Sequence, residues 1–126
     1  MSLSTVRLEL ARDPEFPEGS TRRGYEFVAP LTPEGHIDAK GWRKHRARCW
    51  VRRFWEGEPD ERGHLVHRRG GSWAFHYDVA RHAEGDEPGF KFDSHVFKQG
   101  EYVSLREQDG TLRTFRVVSV RPAGPG

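Results

Sequence analysis

The chain has 126 residues, 32% of them charged, with a mean hydropathy of −0.86 and a formal net charge of +2. That length suits one domain around one core. The absence of an apolar run of about 18 residues excludes a helical membrane span, and the near balance of charge excludes a broadly basic coat for polyanions. A single cysteine rules out an internal disulfide and a zinc site on paired cysteines. With no apolar leader in MSLSTVRLELARD, the expected location is the cytoplasm.

Residues 4–12 alternate, with Val6, Leu8 and Leu10 set against Arg7, Glu9 and Ala11, which predicts a half-buried strand. Two prolines and two glycines within residues 13–24 predict a loop. Residues 25–31 read as a second strand, with Pro30 at its end or on a sheet edge, and residues 32–35 as a turn. Asp38 is a candidate cap for a short helical turn over residues 39–44, against which Gly41 counts. Residues 46–55 read as a third strand, with Ala47, Cys49, Val51 and Arg53 on one face and Arg48, Trp50, Arg52 and Phe54 on the other. An acidic turn follows over residues 56–63.

Residues 64–68 and 72–78 predict a hairpin around Gly70-Gly71. Residues 79–89 read as an acidic loop and residues 90–97 as another strand. Residues 101–108 and 111–120 predict a hairpin with a two-residue turn at Asp109-Gly110, its core side made by Val103, Leu105, Val118 and Val120. The pattern is all-β: about eight short strands and little helix, in a small partly open barrel or a two-sheet sandwich. The expected organisation is one domain over residues 1–121 and a disordered tail over residues 122–126. The segment FKQGEYVSLREQDGTLRTFRVVSV has the cadence of an SH3-like C-terminal hairpin, which is shared architecture and not a family signature.

Charge is concentrated in one place. Residues 42–55 carry Arg43, Lys44, Arg46, Arg48, Arg52 and Arg53 and no acid, while the rest of the chain holds 15 basic and 19 acidic residues. A +6 segment in a chain otherwise at −4 predicts a local, non-catalytic site for an anionic partner, nucleic acid included. Its residues are Arg43, Lys44, Arg46, Arg48, Trp50 and Arg52, with Arg68 and Arg69 beside the Gly70-Gly71 turn. Guanidiniums neutralise phosphates, and Trp50 or Trp42 stacks on a base. The plainer reading makes Trp50 and Phe54 core residues, with Arg48 and Arg52 reaching past them to water.

A second constellation pairs His76 with Asp78 and Asp93 with His95, each two residues apart and so on one strand face. If their strands are antiparallel neighbours, two imidazoles and two carboxylates converge on a divalent metal, or act as a base and an orienting acid. The alternative functions are therefore a small metal-binding protein or metal-dependent enzyme, and a protein-interaction module on an exposed edge near residues 25–31. The main reading needs no cofactor. His64 and His67, three apart on a strand, face opposite sides, and His45 meets Cys49 only if the chain between them is helical. The sequence has no phosphate-binding loop of the Walker type, no GxGxxG and no GxSxG.

Overall fold

The computed structural model describes residues 2–69, 71–78, 95–107 and 109–124, and the backbone path of residues 86–89. The alternation at the N-terminus forms β1 (Leu3–Leu10), which buries Val6, Leu8 and Leu10. It pairs antiparallel with β2 (Ser20–Pro30), whose Tyr25 and Phe27 face the same interior. Asp38 then caps α1 (Ala39–His45), its carboxylate accepting the Gly41 N–H at 2.9 Å. Gly41, the residue that counted against this helix, packs against Pro30 at the end of β2.

The helix does not give way directly to a strand. Residues Arg46–Arg48 continue as a 3-10 turn, and β3 (Trp50–Trp55) begins four residues later than the sequence suggests. The chain goes on through β4 (Glu58–His67), β5 (Trp73–Tyr77), β6 (Asp86–Gly89), β7 (Tyr102–Arg106) and β8 (Leu112–Pro122). The strands pair antiparallel in the order β6-β5-β4-β3-β2-β1-β8-β7, and this one sheet curls into a half-barrel. The fold is thus all-β and barrel-like, and the described strands form one sheet where a sandwich would need two. The curl brings Cα atoms of β6 and β7, the ends of the strand order, within 8 Å of each other.

Two strand glycines sit where backbones crowd. A Cβ on Gly24 would lie 1.9 Å from the Leu8 carbonyl oxygen, and one on Gly63 would lie 1.9 Å from that of His76. Only a residue without Cβ allows such an approach, which lets a sheet coil tightly. The concave side is filled by aromatic rings. Tyr25 lies 5.5 Å from Phe75 and 5.2 Å from Phe115, and Phe27 lies 5.5 Å from Phe75 and 5.4 Å from Phe97. Each such buried side chain contributes about 1.5–3 kcal/mol over exposure, which is how a chain poor in aliphatic residues builds a core.

The C-terminal hairpin forms, with two corrections. Its turn is wider than two residues: the Glu107 N–H donates to the Thr111 carbonyl at 2.8 Å and the Gly110 N–H to the Glu107 carbonyl at 2.9 Å. Gly110 sits at φ +87°, the left-handed conformation such a turn requires. In β8 the register with β1 shifts between Arg7 and Leu8, Arg7 pairing with Ser119 and Leu8 with Val117. The bulge at Val118 changes the strand's phase. Phe115 and Val117 are buried beside Val103 and Leu105, Val118 is only half-buried, and Val120 packs at the margin of the core.

Three more stretches differ from expectation. β6 lies within residues 79–89, which the sequence presents as loop; residues 79–85 fall outside the described residues. Residues 95–97 are not strand, although Phe97 is buried, and residues 90–94 fall outside the described residues. Past residue 121 the chain is still held: Pro122 pairs with Ser4, and the Ala123 N–H donates to the Leu3 carbonyl at 2.9 Å.

Candidate functional site

The cationic segment divides by secondary structure. α1 turns Trp42 inward, where it is 8% exposed, and its indole N–H donates to the Leu65 carbonyl at 2.9 Å. The ring meets His67 and Trp73 edge-on at 5.8 and 5.6 Å, and His67 stacks on Trp73 at 4.2 Å. Trp42 is therefore a core anchor and not a stacking platform. The same packing ties α1 to the base of the β4–β5 turn, which carries Arg68 and Arg69. That turn is closed by the Arg68 N–H donating to the Ser72 carbonyl at 2.8 Å, and both arginines are exposed.

Arg43, Lys44, Arg46 and Arg48 stay on the outside of α1 and the 3-10 turn, all exposed. Among the described residues none of the four is within 4 Å of a carboxylate. Arg48 donates to the Gly124 carbonyl at 3.3 Å, and the Arg46 guanidinium lies 6.0 Å from the Trp42 ring. Cations at this end of a helix also suit its dipole, a reason for the fold to keep them whatever they bind. Cys49 follows at zero exposure, its Sγ 3.4 Å from the His45 carbonyl oxygen. Burial pushes its thiol up to about 11, Arg48 pulling the other way, so it is a neutral packing group.

Arg48 and Arg52 do not share a strand face as expected, because Arg48 belongs to the 3-10 turn. Trp50, Arg52 and Phe54 do share the outer face of β3. Arg52 is committed within the fold. It pairs with Asp60 at 3.0 Å and Glu26 at 3.6 Å, and its guanidinium covers the Phe54 ring at 5.0 Å. Trp50 remains 37% exposed. The register sets it opposite His64 of β4, which in turn lies opposite His76 of β5. His64 and His67 point to opposite sides of the sheet, as their spacing requires.

The His/Asp constellation rests on a pairing of β5 with residues 90–97 that is not found among the described residues. β5 lies between β4 and β6, so His76 has His64 on one side and Asp86 on the other. His95 lies beside β7, its Nε2 accepting the Ser104 N–H at 3.4 Å. Asp78 lies with its Oδ1 3.5 Å from His64 Nδ1. Asp93 falls outside the described residues. Among the described residues no group of three or more His, Cys, Asp or Glu is arranged to hold a metal ion.

A third cluster was missed from the sequence. Glu107, 4% exposed, accepts a hydrogen bond from the Tyr25 hydroxyl and pairs with Arg53 at 3.3 Å and Arg113 at 3.6 Å. Arg113 also reaches Asp13 and Glu15, each at 2.8 Å. Burial opposes its charge, and the hydrogen bond to Glu15 and the carboxylate of Asp13 outweigh this, raising its pKa above the ordinary value. Arg53 and Arg113 cover the Trp55 ring at 4.5 and 5.4 Å. The signal was present: alternation places Glu107 on the inner row with Val103 and Leu105, and Arg53 with Cys49 and Val51. Every charge here is answered within the fold, so the cluster ties β2, β3 and β8 to the residue that follows β7.

A groove of about 950 Å³ opens on the outer surface around the β1–β2 connection, with Arg12, Arg22, Arg23 and Arg116 among its lining. Its charge is mixed, because Glu9, Glu18 and Glu56 share the lining and Glu56 binds Arg22 and Arg23 at 3.0 and 3.3 Å. Over residues 43–48, by contrast, four cations gather with no carboxylate within 4 Å among the described residues. No family model, no curated protein and no solved structure matches the chain.

Proposed function

We propose that the protein is a non-catalytic binding module for an anionic partner, engaged through the ridge of Arg43, Lys44, Arg46 and Arg48. One observation carries this reading. Arg7, Arg22, Arg23, Arg52, Arg53 and Arg113 each hold an ion pair, whereas the four ridge cations are exposed and have none among the described residues. Their field is thus directed to solvent, where a polyanion gains most by releasing its counterions. Arg68 and Arg69 extend the ridge across the Trp42–His67–Trp73 contact, and Trp50 borders it. The reading places the module in the cytoplasm, with its C-terminal hairpin serving as the SH3-like half of a small barrel of about eight strands.

Salt dependence tests it. Four phosphate contacts predict a log–log slope of about −2.8 to −3.6, a loss of about 50- to 150-fold between about 50 and 200 mM salt. Changing Arg43, Lys44, Arg46 and Arg48 together to Ala should abolish most of that slope while leaving the circular dichroism spectrum intact. Unchanged binding in this variant, or no salt-sensitive binding of any polyanion by the parent, defeats the reading.

A further inference from the structure

The outer face of β3, β4 and β5 carries a row of rings beside the ridge. Trp50 pairs with His64, and His64 with His76, so three flat side chains follow one another across three strands. The spacing is close. Because the Leu65 N–H donates to the Cys49 carbonyl at 2.8 Å, the next pair, Trp50 and His64, is the non-hydrogen-bonded kind, whose side chains approach most nearly. Trp50 and His76 are exposed and His64 is half-exposed. One step further along the same face, Arg62 is exposed with no ion pair among the described residues, while Arg52 is held by Glu26 and Asp60. Arg48 precedes Trp50 by two residues, so the row begins beside the ridge.

Cations alone would serve any polyanion. A row of accessible rings serves only a polyanion with flat faces to offer, and a duplex keeps its base faces stacked inside. We propose that the partner is single-stranded nucleic acid, lying across the outer face of β3–β5 with bases stacked on Trp50 and His64 and phosphates on Arg46, Arg48 and Arg62. This rests on the anion-binding reading above and names its substrate class. Asp78, whose carboxylate stands 3.5 Å from His64 and whose N–H donates to the Arg62 carbonyl at 2.8 Å, borders the middle of the row, so phosphate is repelled on that flank and drawn to the Arg46–Arg48 flank.

The test compares three probes by fluorescence anisotropy and competition: a labelled oligothymidylate, a duplex of the same length and inorganic polyphosphate. Trp50→Ala should weaken oligothymidylate binding by about 5- to 150-fold, the equivalent of losing about 1–3 kcal/mol of stacking. It should leave polyphosphate affinity unchanged, and Trp50→Phe should restore most of the loss. If Trp50→Ala disturbs the sheet, His64→Ala carries the same comparison. Equal binding of duplex and single strand, or an oligothymidylate affinity indifferent to both ring substitutions, overturns this inference and leaves the anion-binding reading standing. Failure of all three probes to bind overturns both.

Discussion

Glu107 shows how a single residue can hold distant strands together. It follows β7, yet its carboxylate receives Tyr25 from β2, Arg53 from β3 and Arg113 from β8. Removing one member of a buried ionic group costs at most about 3–5 kcal/mol, and less here, because Arg113 keeps Asp13 and Glu15 and Arg53 keeps Glu58 and Glu61. Glu107→Ala should lose stability within that limit in urea unfolding, and Glu107→Gln less, because it keeps an acceptor for the Tyr25 hydroxyl. Cys49 makes a second prediction. Its thiol is raised from an ordinary value of 9.0 to about 11 by burial, so the unfolded chain gives up this proton first as pH rises. Its contribution to stability is complete below pH 9 and fades as pH climbs to about 11. At pH 8 the thiol should resist a disulfide reagent such as DTNB in the native protein and react promptly once urea unfolds it. Prompt reaction in the native state would mean that Cys49 is reachable.

At the level of elements, Gly63 is the sharpest test of the curl. Gly63→Ala places a methyl carbon 1.9 Å from the His76 carbonyl oxygen, so β4 and β5 must part. The loss should reach the upper end of the about 1–3 kcal/mol typical of overpacking, read as a lowered melting temperature. Alternation made β1, the later parts of β2 and β4, β5 and the β7–β8 hairpin legible in the sequence, because one face of each is buried and the other wet. Three features were not legible, for physical reasons. The start of β3 was misplaced because Arg46–Arg48 stays helical after a capped helix whose glycine counted against it. Val118 was misassigned, Val117 taking its core position while Val120 packs as expected, because a bulge is a pairing event and leaves no mark in one strand read alone. The partner of His76 was misjudged because spacing gives a strand face and says nothing of which strand lies beside it. The candidate site followed the same rule: the exposed ridge over residues 43–48 and Trp50 came from composition, whereas the commitment of Arg52 to Glu26 and Asp60 depended on neighbours that only the register reveals.

At the scale of the molecule, the strand order places β1 between β2 and β8. The first strand therefore takes one partner from nearby in sequence and the other from the far end of the chain, with Leu10 opposite both Ser20 and Phe115. Such pairing is slow, because a long loop must close before it is rewarded. During translation β1 can pair early with β2, but its other edge stays bare until β8 has left the ribosome. A bare edge with Val6, Leu8 and Leu10 beside it is a template for a neighbouring nascent chain as much as for its own last strand. A chain terminated at residue 111 should accordingly be recovered in the insoluble fraction, with the full chain soluble under the same expression conditions. Recovery of a soluble, folded product from that truncation would show that β1 does not need β8. The last strand to be synthesised thus carries the task of ending the exposure that the first one begins.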